Sequence, residues 1–533
     1  MRILDCGMRI QLALACLKRA VALPFDGEAR AGDSRDSLIW YTDMRTNHHL
    51  RNTRLAAIII LMALVACLPV TAQHVPSESW MGIYIGQLKI GYAGFFVDKA
   101  DFEGKPGYRL KSTSVVSVPV LGEEVGQNLE TTSYLNEKTE PVYEVFKMSS
   151  AGYSTTVTAR FGKTEISAEV LSDGKKSTKK IPIPPGSKLV ADDTNFLSQT
   201  MKLQVGDKRS FKSFNPLTLT LDDIEIEVVR SEELVLEDGR HRCLVIKSKT
   251  PLGDATSWQD EKGDLLKVET SMGFTMLREA KEAAQSMTSA GEYTPSADLA
   301  VITSAQTKVK IAVPRRVKYL KVRLTGFTDK SLVMSDARQK ASYSEGPPPS
   351  VVYEITASDF DPAKSASLPI KDPKLDEFLA DGPYIQPRDP EIKSAVAQIV
   401  GDEKNACKAA SLIREWLDVN MQTKGNIGIV RTSTDILRAR SGVCRDYATL
   451  YAALARAAGI PTKVVAGMIY FKDGFYYHAW AESYVGEWIP VDATLATDFV
   501  DATHIKLTEG DALAMFKAVK AVGVLKAEIL DFK

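Results

Sequence analysis

Residues 441–461 read SGVCRDYATLYAALARAAGIP and residues 475–494 read FYYHAWAESYVGEWIPVDAT, and the fold is decided by these two runs. In the first, Tyr447, Leu450, Tyr451, Leu454, Ala455 and Ala458 recur at i, i+3 and i+4, the spacing of one helical face. Gly459 and then Pro461 end that helix, the glycine free to turn left-handed and the proline unable to continue. Cys444 therefore falls at, or one residue before, the N-terminus of a helix whose far side is buried. Unpaired N–H groups there carry about half a positive charge, which favours thiolate over thiol. A free cysteine is more often an inert core residue. Around this one, however, Ser441, Gly442, Arg445 and Asp446 are small or polar.

The second run supplies a base. Thr462 to Tyr470 predicts a strand, Lys472-Asp473-Gly474 a tight turn, Phe475 to Val485 a second strand carrying His478, and Trp488 to Asp492 a third. A histidine beside a thiol takes its proton, and a carboxylate behind the histidine holds the accepting tautomer. Strand alternation demands that His478 and Asp492 share a face. A two-residue loop at Gly486-Glu487 would pair Asp492 with Ala481, on the wrong face. A three-residue loop at Val485-Gly486-Glu487 pairs it with Trp480, which makes it the diagonal neighbour of His478 at about 7–8 Å between backbones. Two other carboxylates are rivals, Glu482 on the strand of His478 and Asp473 in the turn before it. The Cys444 N–H is the natural first donor to an oxyanion, with Trp416 or Gln422 as candidates for the second.

Gly442-x-Cys444, Arg456-Ala457-Ala458-Gly459-Ile460-Pro461, His478-Ala479-Trp480-x-Glu482 and Trp488-x-x-x-Asp492-x-Thr494 together resemble the core of the transglutaminase-like superfamily over about residues 385–500. The resemblance implies a papain-like helix-plus-sheet core with Cys444 as nucleophile, His478 as general base and acid, and Asp492 as orienting residue. It implies a thioester formed with a protein or peptide substrate. Water as acceptor makes a protease or amidase, and an amine makes a cross-linking protein-glutamine transferase. A third reading is non-enzymatic, with the core as scaffold and the upstream β-rich region as a binding module. The sequence contains neither a calcium loop of alternating acids nor a paired Cys-x-x-Cys or His-x-x-x-His. No metal or other cofactor is therefore expected, and hydrolysis is favoured.

Upstream of this core the period is first helical. Asp389 caps and Pro390 opens a helix with Ile392, Ala395, Val396 and Ile399 on one face, which Gly401 closes. A second helix spans about Ala406 to Met421, with Leu412, Ile413, Trp416 and Val419 as its apolar side. Farther back, from Trp80 to Met287, alternation prevails: Tyr153 to Phe161, Leu217-x-Leu219-x-Leu221, and Ile224-x-Ile226-x-Val228. Gly162-Lys163, Asp222-Asp223 and Gly263-Asp264 read as turns. This is an antiparallel sheet with one wet face, curved or closed, loosely similar to the periplasmic β-domains that precede such cores in exported bacterial proteins. Lys308 to Val313, Lys318 to Leu324 and Val351 to Ile355 extend the strands, and Asp361 to Pro373 reads as a linker. The expected architecture is α+β, with a β-rich domain at 76–290, a second β segment and linker at 300–375, and the catalytic core at 385–533.

The chain has 533 residues, 44% hydrophobic and 25% charged, which is globular composition for several domains. Its 67 basic and 67 acidic residues cancel, so no nucleic-acid partner is expected. From Met44, basic residues without acids lead into the apolar run Leu55 to Ala66 and then Val70-Thr71-Ala72. That is an export signal over 44–72, too short for a bilayer span of about 20 residues. Residues 1–43 fit no signal, and translation is expected to begin at Met44. Cleavage after Ala72 gives a soluble periplasmic or extracellular protein, whereas the lipobox-like Leu64-Val65-Ala66-Cys67 would tether it to a membrane through Cys67. Cleavage after Ala72 leaves Cys243, Cys407 and Cys444, an odd set with at least one thiol free of intrachain pairing. Cys243 and Cys407 are expected as bystanders, with a disulfide between them the remaining alternative.

Overall fold

The computed structural model describes residues 77–172, 174–191, 203–251, 253–270, 274–287, 298–327, 329–497, 500–511, 514–518, 521 and 523–533. The expected signal peptide, Cys67 and residues 1–43 lie outside the described residues. Alternating side chains build one sheet of fifteen strands between Ser77 and Glu279. Ser77–Ile85 lies at its middle, hydrogen-bonded to Leu88–Phe102 on one side and Phe274–Glu279 on the other. Antiparallel neighbours run outward to Lys175–Pro182 at one edge and to Lys208–Asn215 near the other, where Leu189–Val190 adds in parallel. Phe146, Met148, Val157, Ile166 and Val170 line a dry face. The sheet curls, because Phe161 and Phe214, from strands far apart in the order, meet edge to face at 6.0 Å.

Three local readings are corrected. Leu217 and Leu219 are not in a strand but in a buried turn, where the Asn215 side-chain oxygen accepts the N–H of Leu217 and of Thr218. Such an Asx turn competes successfully with alternation. Asp222-Asp223 is not a turn; it lies within strand Thr220–Leu236, stabilised from the next strand by Asn215 and Lys212. Lys308 to Val313 is not a strand. Its donors go elsewhere, Lys310 Nζ to the Asp473 carbonyl and the Ile311 N–H to the Tyr470 hydroxyl.

Strands β1 (Tyr319–Thr325), β2 (Gln339–Ser344) and β3 (Ser350–Thr356) follow. Then come helices α1 (Pro390–Val400), α2 (Ala406–Asn420), α3 (Ser433–Ala439) and α4 (Cys444–Ala457), and strands β4 (Thr462–Phe471), β5 (Gly474–Tyr484), β6 (Trp488–Val491), β7 (His504–Gly510) and β8 (Lys526–Phe532). The molecule is α+β. Asp389 caps α1 through the Glu391 N–H, and Gly401 closes it at φ +56°. In α2 the expected face holds in part. Ile413 is buried and Trp416 packs on the core, but Leu412 is exposed and Val419 is 81% exposed. The buried stripe is Ala406, Ala409, Ala410, Ile413, Arg414 and Leu417. Alanines there let α2 lie close against α4, and α4 itself is enclosed on nearly every side, from Asp446 to Arg456.

The core sheet has β5 between β4 and β6, with β7 on the far edge of β4, all antiparallel. The stretch expected as a linker is laced onto this core: Ala366 N–H bonds Val485 O at 2.6 Å, Leu368 N–H bonds Lys404 O, and Ile370 N–H bonds Gly459 O. The chain end β8 returns to pair with β1, so segments drawn apart at 375–385 share one sheet. The large sheet also grips the core. Ser172 bonds Asp435 at 2.6 Å, Lys175 bridges Asp389 and Glu391, and Gly428 is held by Gln127 and Ser150.

Candidate active site

Cys444 is the first residue of α4, and extended Val443 precedes it. The Asp446 carboxylate turns back to accept the Val443 N–H at 3.1 Å and Arg431 Nη2 at 2.9 Å. Arg431 also donates to the Ser441 carbonyl at 2.6 Å, and its guanidinium lies 4.4 Å over the Tyr153 ring of the large sheet. Both members of this ion pair are 1% exposed. Gly442 is required here, since a Cβ would stand 2.5 Å from Asp446 Cβ. The loop before the thiol is thus fixed by a buried charge pair and a close approach.

The hairpin takes the register that the triad geometry demands. Tyr484 pairs with Trp488 and Ala481 with Val491, leaving Val485-Gly486-Glu487 as the loop, with Gly486 at φ +121°. Asp492, one residue beyond Val491, continues that register opposite Trp480. Its Oδ2 lies 2.7 Å from His478 Nε2, which leaves Nδ1 as the ring nitrogen for the thiol. The Cys444 thiol and the His478 imidazole are neighbours, close enough that each shifts the other's proton affinity.

The three groups shift one another's proton affinity. Burial alone would raise the Cys444 thiol, but the His478 bond and charge, the Ala479 N–H and Arg445 together bring it below its ordinary value. Burial would lower His478, yet Asp492, and then Cys444, push it up to about 10. Burial would raise Asp492, and the two histidines hold it well below the carboxylate range instead. These shifts run in the directions that favour a thiolate–imidazolium pair backed by a carboxylate.

Two partners escaped the sequence reading. Thr494 gives Asp492 Oδ1 both its N–H at 2.9 Å and its hydroxyl at 2.6 Å. His504, fully buried on β7, places Nε2 3.1 Å from Asp492 Oδ2. Nothing local announces His504; only the pairing of β7 with β4 brings it near. The rivals are occupied elsewhere. Glu482 bonds Lys506 at 2.8 Å and Lys463 at 3.3 Å, and Asp473 stays in its turn near Lys310. Gln422 sits on a two-residue strand paired in parallel with Ser441-Gly442, beside the Cys444 loop, whereas the Trp416 ring is covered by the Arg440 guanidinium at 4.3 Å.

Cys243 and Cys407 are free thiols in separate parts of the fold, not a disulfide; burial pushes Cys243 up to about 11 and raises Cys407. His478, Asp492 and His504 offer donor atoms within 4.8 Å of one another, a grouping able to hold a metal ion. Those atoms already satisfy one another at 2.7 and 3.1 Å, and an ion there would displace Asp492 from His478 Nε2.

This is the site of a papain-like thiol protein. Residues 393–493 match the transglutaminase-like superfamily, and the chain carries a core of that superfamily there. Residues 81–277 match the family described as Protein of unknown function (DUF3108). An uncharacterized protein of Haemophilus influenzae is 31% identical over 133 residues, 22% of this chain and 35% of that one, so the match spans about a third of the relative's length. A candidate cysteine protease structure from Cytophaga hutchinsonii aligns at 20% identity and TM-score 0.29, covering 41% of this chain and 86% of that one. A β-barrel-like protein of a domain of unknown function from Brucella abortus aligns at 10% identity and TM-score 0.30, covering 38% and 95%.

Proposed function

We propose that the protein is an exported thiol hydrolase that cleaves amide bonds of a protein or peptide through a thioester on Cys444. The observation that carries this reading is the grouping of the Cys444 sulfur, at the start of a buried helix, with His478, whose Nε2 lies 2.7 Å from Asp492 Oδ2. The Cys444 thiolate attacks the carbonyl carbon, and the His478 imidazolium gives its proton to the departing amine as the C–N bond breaks. His478, now neutral, takes a proton from water, which attacks the thioester and returns the sulfur as leaving group. The Cys444 N–H at the helix start faces the developing oxyanion, and Gln422, whose backbone pairs with Ser441 beside the Cys444 loop, is the candidate for a second donor. Asp492 keeps the imidazole oriented and stabilises its charged form.

Export rests on the basic start, short apolar run and small residues of 44–72. The test of the reaction is incubation of the protein with denatured casein and a biotinylated primary amine. New peptide termini or released ammonia, lost in Cys444→Ala, are expected. Cys444-dependent biotin incorporation would make an amine the acceptor, and no Cys444-dependent product would overturn the enzymatic reading.

A further inference from the structure

The hydrogen-bonded line from His478 does not end at Asp492. We infer that His504 is a positioning residue for the reaction, locking the Asp492 carboxylate in the orientation that faces His478. The inference rests on the thiol chemistry proposed for Cys444.

Asp492 Oδ2 serves two imidazoles at once, His478 Nε2 at 2.7 Å and His504 Nε2 at 3.1 Å, while Oδ1 takes both donors of Thr494. A carboxylate offers about four lone-pair sites, and here four donors meet them. Two donors on Oδ1 from one residue leave rotation about that edge open. A second donor on Oδ2, from the strand at the far edge of the sheet, closes it.

The fold is arranged to deliver that donor. Asp492 follows β6, beyond one edge of β5, and His504 stands on β7, beyond the far edge of β4, so the two reach toward each other across β5 and β4. Gly467 of β4 pairs with His478 and bears no side chain between the two rings; a Cβ there would lie 2.9 Å from the Trp480 ring. Trp480 stacks on His478 at 6.2 Å and meets His504 edge-on at 5.3 Å, fixing both imidazoles from one side. Behind His504, Asp501 Oδ2 stands 3.4 Å from Nδ1 and is held by Arg315 at 2.7 Å. Arg338 clamps the His504 carbonyl at 2.8 Å. A buried histidine kept only for packing needs none of these polar neighbours.

The test is the rate of Cys444 alkylation by iodoacetamide from pH 5 to 9, read by peptide mass, with thermal unfolding of each variant as the check on folding. His504→Phe keeps ring volume and removes the donor. It is expected to slow alkylation at pH 6 by about tenfold to hundredfold, less than the 10²–10⁴ typical of losing an orienting carboxylate. His504→Gln retains an N–H donor and should recover most of the rate and the wild-type pH profile. If His504→Phe does not fold, His504→Asn, whose amide stops short of Asp492, takes its place. A donor-free variant with the wild-type rate and profile, or a glutamine variant no better than it, overturns the role of His504. His478→Ala separates the two claims: if it alkylates as wild type, the thiol reading itself fails, and if it alone is slow, only the role of His504 fails.

Discussion

On the proposed mechanism Asp492 carries most of the orienting task, and its neighbourhood says what its loss costs. Asp492→Asn keeps the shape but replaces one acceptor oxygen by a donor facing two imidazole donors. Turnover, once a substrate is in hand, is expected to fall by about 10²–10⁴ with the fold intact. Glu482→Gln should behave in the opposite way. Glu482 neutralises Lys506 and Lys463 in the sheet, so its loss leaves buried ammonium groups short of a partner. Removing one member of a buried pair costs about 3–5 kcal/mol; the shared acids Glu509 and Asp336 soften that figure. The expected result is a lowered melting temperature with little change in rate. The reverse ranking would make Glu482 the third member of the site. The juxtaposition of His478 and Asp492 was legible because strand parity and loop length are arithmetic on the sequence. His504 was not legible, because its approach depends on which strand lies beside β4, and no local pattern specifies that.

At the scale of elements, legibility followed whether local chemistry and burial agreed. Helix α1 carries an Asp cap, an N-terminal Pro and a closing Gly, and it forms where those residues place it. Helix α2 matches the expected face at Ile413 and Trp416 but not at Leu412 and Val419, which face outward while alanines fill much of the core side. Size was a poor guide there because close helix packing selects small residues. Strand alternation similarly failed at Leu217-x-Leu219, where the Asn215 amide overrode it. A strand of the large sheet also carries a pH-dependent cost. Glu144 is buried with Ser133 bonded to one oxygen, and burial pushes it up to about 7. Below pH 4.5 the carboxyl is protonated folded or unfolded, and no penalty exists. Between about 4.5 and 7 the unfolded state ionises first, so stability falls by about 3 kcal/mol as pH rises and then levels off. Glu144→Gln should therefore be more stable than wild type at pH 8, by up to that amount, and equal to it at pH 4. Equal melting at both pH values would show that Glu144 is solvated or paired.

For the whole molecule, composition and period correctly announce a β-rich half before a helix-and-sheet core, but not how the two are joined. Main-chain pairing ties β8 to β1 and Ala305–Gln306 to β5, contacts of long sequence separation that no window of residues reveals. The loop that positions Cys444 also leans on the large sheet through Tyr153, Ser150 and Gln127. A chain beginning at residue 385 is accordingly expected to lack a cooperative unfolding transition, since β8 and the Arg431 loop lose their partners. A sharp transition with fast Cys444 alkylation in that fragment would show that the core needs neither.

The central claim is that His478 keeps Cys444 ionised within a buried site, and one rate measures it. Cys444 sits below its ordinary value of 9.0 and His478 is raised to about 10, so the thiolate–imidazolium pair should persist from the lowered thiol value up to about pH 10. Iodoacetamide should alkylate Cys444 rapidly at pH 6, far faster than Cys243 or Cys407, which burial holds as thiols. In His478→Ala the burial penalty is left unopposed by the imidazolium, and alkylation at pH 6 should nearly cease. An unchanged rate in that variant would contradict the account.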